Sequence, residues 1–268
     1  MKIVIATPLY PPEPGGPATY SKLLEEGLPG LGIEVVLVKF GDVRNMPKLI
    51  RHVAYFFRVW TAARTAELIL ALDPVSVGLP ASLAAWFAGK PLVVKIVGDY
   101  AWEQGRQSAT RARLDEFVRT KRIPLRLRMF RWVQTFVARR AQRVIVPSNY
   151  LKGIVALWGI PQEKIVVIHN AITPETGGQI PSSVAHLPRP LIVSVGRLVP
   201  WKGFAELIEA VAIIRGEATQ ASLVIVGNGP ERAALETKAR KELGTSFVLT
   251  GSLSHGDTYA VMAHADVF

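Results

Sequence analysis

Short apolar runs alternate with longer stretches of helical period along most of this chain. The runs predict strands over 2–7 (KIVIAT), 34–40 (EVVLVKF), 67–72 (ELILAL), 91–97 (PLVVKIV), 143–147 (RVIVP) and 164–168 (KIVVI). Between them, apolar positions recurring at helical spacing predict helices over 17–29, 47–65, 78–88, 107–141 and 149–158, the fourth broken at Pro124. Strand–helix alternation of this kind is the pattern of a parallel sheet wrapped by helices. Residues 1–172 therefore read as one Rossmann-like domain. The rhythm then stops: TPETGGQIPSSVAHLPRP, 173–190, is rich in proline and glycine and has no apolar period, so 173–189 reads as a linker.

The alternation restarts with strands over 190–195, 222–226 and 246–250 and helices over 203–215, 230–243 and 255–264. The last residues, ADVF, read as the opening of one more strand. The expected fold class is α/β with two Rossmann-like domains, the second, 190–268, incomplete against the usual ~100–150 residues of a domain.

Composition narrows the chemistry. The chain has no cysteine, which excludes disulfides, thiolate catalysis and cysteine-built zinc sites. Its start, MKIVIATPLYPP, is too short and too proline-broken for a signal sequence, and no run reaches the ~18 apolar residues of a membrane span. The expectation is a cytoplasmic protein, soluble or peripheral at the inner membrane face. With 32 Lys+Arg against 21 Asp+Glu the net charge is +11. That favours an anionic partner without choosing among nucleotide, nucleic acid and acidic lipid.

Ligands of open α/β sheets lie beyond the carboxyl ends of the strands, where helix N-termini point free N–H groups outward. Three loops in that position are distinctive. In PLYPPEPGGPATY (8–20), Gly15 and Gly16 precede the first helix, so backbone can approach a ligand without a Cβ between. It is not the GxGxxG of a dinucleotide fold. In SVGRLVPWKGF (194–204), Gly196 ends the strand and Arg197 and Lys202 stand on the turn into the next helix. An arginine fork and a lysine point charge there suit a phosphate; the plainer account is a pair of solvated surface cations. In VGNGPE (226–231), Gly227 and Gly229 again sit between a strand and a helix.

Together PPEPGGPATY, VPSNYLK, VIHNAI, VGRLVPWKGF, VGNGPE and LTGSLSHGDTYAVMAHADVF resemble, in order and from end to end, the family-4 retaining glycosyltransferases of the GT-B fold. The resemblance implies a nucleotide-sugar donor held by the C-terminal domain and a polysaccharide or lipid-linked acceptor held by the N-terminal one. It implies that Arg197 and Lys202 bind the donor diphosphate, with Gly15, Gly16, Gly196, Gly227 and Gly229 lining the donor site and Gly251, Ser252 and Leu253 against the base. Transfer would proceed with retention, by front-face displacement. Fixed cations would stabilise the leaving diphosphate, so no cofactor and no metal would be needed. Two departures stand out. Val97 occupies the place of a histidine that many relatives carry, leaving Asp99 as the nearest group to meet the sugar; the alternative is that Asp99 caps the following helix. The family's acidic motif has no counterpart before Phe268, so this chain is expected to be inactive by itself.

Residues 119–143 hold nine Arg and Lys and no acid. On a helix Leu125, Met129, Trp132 and Phe136 share one face and Arg128, Arg131 and Arg139 the opposite one. Two readings carry equal weight: a helix lying on an anionic membrane surface, or one packing its apolar face on the sheet. No nucleic-acid motif accompanies the charge. The competing account of the whole chain is a non-catalytic remnant that binds a nucleotide or a partner.

Overall fold

The structure, a computed structural model, describes residues 1–13, 15–108, 112–171, 177–217 and 220–268. It divides into two compact units, Met1–Asn170 and Ala171–Phe268.

The first unit runs β1 (Lys2–Thr7), α1 (Gly16–Gly27), β2 (Glu34–Lys39), α2 (Lys48–Ala63), β3 (Leu68–Ala71), α3 (Gly78–Ala88) and β4 (Leu92–Lys95). It continues through α4 (Tyr100–Ser108), α5 (Leu114–Arg119), α6 (Leu125–Arg140), β5 (Arg143–Val146), α7 (Asn149–Leu157) and β6 (Ile165–Val167). The six strands form a parallel sheet in the order β2-β1-β3-β4-β5-β6. β1 is buried at every position but its first. Val4 and Ala6 join the core with Tyr55, Val59 and Ala81, whereas Ile3 and Ile5 turn the other way, towards Tyr20 and Leu24 of α1. A strand covered on both faces is apolar along its whole length, which is why KIVIAT has no alternation. In α2 the buried residues Tyr55, Val59 and Ala63 recur every fourth position, the stripe of a helix with one packed face. The Tyr55 hydroxyl donates to the Val38 carbonyl at 2.8 Å.

The helix expected over 107–141 is α4, α5 and α6; residues 109–111 lie outside the described residues. The break at Pro124 is present, as the cap of α6. A further start follows Arg113, whose N–H donates to the Glu116 carboxylate at 3.1 Å. The orientation of α6 is decided by the fold. Leu127, Val133, Gln134, Val137 and Ala138 are buried, and Leu125, Met129 and Trp132 are more than half exposed. Of the apolar stripe read from the sequence, Phe136 packs against the core and the other three residues do not. Arg131 is tied down, donating to the carbonyls of Phe117 at 2.7 Å and Thr120 at 2.8 Å.

The second unit runs α8 (Ser182–Ala185), β7 (Leu191–Val195), α9 (Phe204–Gly216), β8 (Ser222–Val226), α10 (Arg232–Leu243), β9 (Phe247–Gly251) and α11 (His255–His264). Its parallel sheet has the order β7-β8-β9, and Val267 bridges Ile192 in parallel on the free side of β7. Central β8 is buried throughout. Of the stretch read as a linker, 173–176 lie outside the described residues, and 177–189 pack onto this unit. Val184 is buried with Leu191, Val193 and Val261, and the N–H of Gln179 donates to Asp257 at 2.7 Å.

Gly78, at the start of α3, lies against the end of β3: a Cβ there would stand 2.5 Å from the Asp73 carbonyl oxygen and 3.2 Å from a Val137 methyl. Gly78→Ala is expected to destabilise the protein by about 1–3 kcal/mol, the cost of overpacking a fitted contact. Urea denaturation checks this; an unchanged midpoint would mean that α3 moves away without cost.

Candidate functional site

In the first sheet β2 lies on one side of β1, and β3 and all later strands lie on the other. The connections after β1 and β3 thus leave in opposite directions, opening a crevice between their carboxyl ends. A cavity of about 380 Å³ lies there, lined by Pro8 and Leu9 after β1, Asp73 and Ser76 after β3, and Gly98 and Tyr100 after β4. Arg44, Arg51 and Glu103 supply charge to its wall. Arg44 is fixed by an ion pair with Glu13 and by donation to the Pro8 carbonyl at 2.9 Å. Asp73 Oδ1 accepts from the N–H of Val75 at 2.8 Å and from that of Ser76, which holds the turn after β3. A depression of about 480 Å³ between β2 and α2 lies away from the strand ends, and its Arg58 and Asp42 are paired at 3.0 Å.

The glycines of the first loop differ in kind. Gly15 has φ 138, a conformation that side chains rarely adopt. A Cβ on Gly16 would meet nothing within 4 Å, so the first turn of α1 is open, and no acidic residue stands in it.

Asp99 is a helix cap. Its Oδ1 accepts from the N–H of Trp102 at 2.9 Å, and its side chain is 1% exposed beside the core. Burial raises its pKa, opposed by the hydrogen bond from Trp102. The carboxylate expected to meet a sugar is turned inward because it satisfies the start of α4.

Sequence reasoning missed Lys95. It lies at the end of β4, 2% exposed, and donates to Asn170 Oδ1 at 2.8 Å while its Nζ sits 3.5 Å from the centre of the Tyr20 ring. Helical side chains lean towards the helix N-terminus, so this ammonium lies beneath the first turns of α1. Burial lowers its pKa to about 8. The only signal in the sequence is a lysine inside an apolar strand. Asn170, in the segment VIHNAI, is its partner; Ile172 lies outside the described residues. In VPSNYLK, Ser148 caps α7, accepting from Leu151 at 3.2 Å.

In the second unit three loops interlock at the carboxyl ends of β7, β8 and β9. The N–H of Leu198 donates to the Asn228 carbonyl at 3.0 Å, that of Glu231 to Leu198 at 3.2 Å, and that of Gly227 to Gly251 at 2.9 Å. Cβ atoms on Gly227 and Gly229 would lie 1.9 Å from the Gly196 oxygen and 2.3 Å from the Leu198 oxygen. The approach of backbone to backbone therefore already requires these two glycines. Gly251 has φ 80. Leu253 packs beside the buried cluster of Val226 and Val261, and Ser252 is exposed. Leu198 and Val199 are buried and pin the loop after β7. Arg197 and Lys202, on either side of them, are exposed. Among the described residues neither forms an ion pair.

Residues 3–171 match the family described as glycosyl transferase 4-like domain, and residues 179–268 match glycosyl transferases group 1. A 2-deoxystreptamine glucosyltransferase of Streptomyces kanamyceticus is 30% identical over 146 residues, 50% of this chain and 38% of that protein. A GDP-mannose-dependent alpha-(1-6)-phosphatidylinositol monomannoside mannosyltransferase of Mycobacterium tuberculosis is 39% identical over 82 residues, 30% of this chain and 21% of that protein. The chain thus spans well under half the length of these curated relatives. Among solved structures, Anabaena HepE in complex with UDP and glucose aligns at a TM-score of 0.69 and 20% identity, over 99% of this chain and 72% of that one. The sucrose-phosphate synthase of Thermosynechococcus elongatus aligns at 0.70 and 18%, over 99% of this chain and 73% of that one. At these identities the structural likeness speaks for the fold alone.

Lys95 gives a pH-dependent expectation. Its folded pKa, about 8, lies below the ordinary 10.5, so between these values the unfolded chain holds a proton that the folded one has released. Stability then rises with pH through that window. Lys95→Met is expected to remove this rise, and below pH 8 to be at least as stable as the parent. Urea midpoints of both proteins across the window test it; a parent–variant difference independent of pH would show that the ammonium is not disfavoured.

Proposed function

The chain belongs to the glycosyltransferases with a glycosyl transferase 4-like domain and has the two Rossmann-like domains of the GT-B fold, and we propose that it moves a sugar from a nucleoside diphosphate to an acceptor with retention of anomeric configuration. The observation that carries the reading is the loop after β7. Buried Leu198 and Val199 hold it rigid, and Arg197 and Lys202 stand exposed without a carboxylate partner among the described residues. When the bond from sugar to diphosphate breaks, negative charge grows on the leaving oxygen. Cations already fixed at that place lower the barrier without reorganising. This mechanism calls for no metal and no carboxylate nucleophile. In it the departing phosphate takes the acceptor's proton.

The first unit is the acceptor side in this reading. Its cavity at the ends of β1, β3 and β4 offers Arg44, Arg51, Asp73 and Glu103 to the hydroxyls of a sugar on a polysaccharide or a lipid. In this reading Asp99 serves as the cap of α4. UDP and glucose in HepE make UDP-glucose the first donor to test, and the GDP-mannose of the mycobacterial relative the second. The reading places the protein in the cytoplasm or at the inner membrane face. Among the described residues no helix is long and apolar enough to cross a membrane.

Calorimetric titration with UDP and with uridine tests the assignment of the cations. UDP is expected to bind more tightly, and Arg197→Ala or Lys202→Ala to erase most of the difference. Turnover of a radiolabelled donor is expected to fall about 100-fold or more in either variant, the scale of losing one charge-stabilising group. Thermal stability is expected to stay in place, since both side chains are exposed. Equal binding of UDP and uridine by the parent would overturn the reading.

A further inference from the structure

Three helices of the first unit leave large apolar side chains in water. From α2 these are Leu49, Ile50, Val53 and Phe57; from α3, Trp86 and Phe87; from α6, Leu125, Met129 and Trp132; each is more than half exposed. They form one surface. Phe57 meets Phe56 at 5.1 Å, Phe56 meets Phe87 at 5.8 Å, and Phe87 meets Trp86 at 4.9 Å. The Arg140 guanidinium spans from Trp86, at 5.5 Å, to Phe136, at 5.7 Å, and Phe136 stacks on Trp132 at 5.2 Å. Exposed apolar surface of this extent is rare on a protein that stays in water.

Charge identifies what covers it. α2 carries exposed Lys48, and α6 carries Arg126, Arg128, Arg139 and Arg140 exposed around this stripe. At about 100° per residue Arg128 and Arg139 fall beside Trp132 and not on the opposite face, and none of the three helices contains an acidic residue. A second copy of this face would set cations against cations. An anionic bilayer answers both halves of the pattern: tryptophan and phenylalanine enter the headgroup boundary, and arginines meet acidic lipid.

We propose that α2, α3 and α6 form a docking face for an anionic membrane surface, placed so that a lipid-carried acceptor enters the cavity at the carboxyl ends of β1, β3 and β4. The placement follows from two contacts. Arg51, one residue beyond Leu49 and Ile50 on α2, lines the cavity, and so does Tyr100, whose ring meets Phe130 of α6 at 5.1 Å. The N-terminal end of α2, with exposed Leu49 and Ile50, thus lies beside the cavity. The acceptor part of the proposal rests on the glycosyltransferase reading; the docking part does not.

Vesicle flotation tests the docking. With vesicles of phosphatidylglycerol and phosphatidylcholine the chain is expected to float, and with phosphatidylcholine alone to stay behind. Brominated lipid is expected to quench tryptophan fluorescence, and Trp86→Gln with Trp132→Gln to remove the quenching and most of the flotation. Arg126→Gln, Arg128→Gln and Arg140→Gln are expected to weaken partition about fivefold per charge, and salt to act in the same direction. Failure to float, flotation without quenching, or a dimer that the tryptophan substitutions dissolve would overturn the proposal, the last assigning the face to self-association. A chain that floats and is quenched but gives equal binding of UDP and uridine keeps the docking face and loses the glycosyltransferase reading. Vesicle-borne acceptor glycosylated equally by parent and by the non-floating tryptophan variant would overturn the acceptor part.

Discussion

Strands buried on both faces have no side chains free for ligands. In β1 and β8 nearly every residue is packed between helices, so groups that meet a ligand must stand beyond the strand ends. Parallel order then gathers the loops at one edge of each sheet. The reversal of order beside β1 opens a cavity at that edge. Lys95 shows what happens when a charge is left inside: it is held by one amide oxygen and one ring face, and its protonated form is disfavoured.

The second unit carries this constraint further. Its loops lie so close that Gly227 and Gly229 serve first to let backbones pass. The same contacts bury Leu198 and Val199 and thereby hold Arg197 and Lys202 outward. Rigidity and charge come from neighbouring residues of a single loop. In the function proposed, that is the arrangement by which a leaving diphosphate finds its countercharge already in place.

The first unit divides its labour between its strand ends and its helix backs. Its cavity has charged groups, Arg44, Arg51, Asp73 and Glu103, set in a largely apolar wall, and its loops are tied by Arg44, Glu13 and Asp73. The outer faces of α2, α3 and α6 are apolar and cationic. The two meet where the helices begin, so a surface that holds lipid and a cavity that holds a sugar are continuous in the geometry proposed.

Periodicity along the chain was enough to find every strand of both sheets and most helices, because a buried parallel strand is an unbroken apolar run and its helices have a single packed face. The turn positions of Arg197 and Lys202 were legible for the same reason: a strand end and a helix start bracket them. Three matters were not. Asp99 in KIVGDYAWE reads equally as a reactive acid or a cap, and only the position of the Trp102 N–H decides for the cap. Gly227 and Gly229 look like space for a ligand until the backbone of another loop is found against them. The stripe Leu125, Met129, Trp132, Phe136 reads equally as a membrane face or a packed one; only Phe136 reaches the core, and the sheet otherwise takes the neighbouring stripe of Leu127, Val133 and Val137. Periodicity reports that a helix has an apolar side. Which side meets the core depends on contacts between residues far apart in the chain, and those exist only once it has folded.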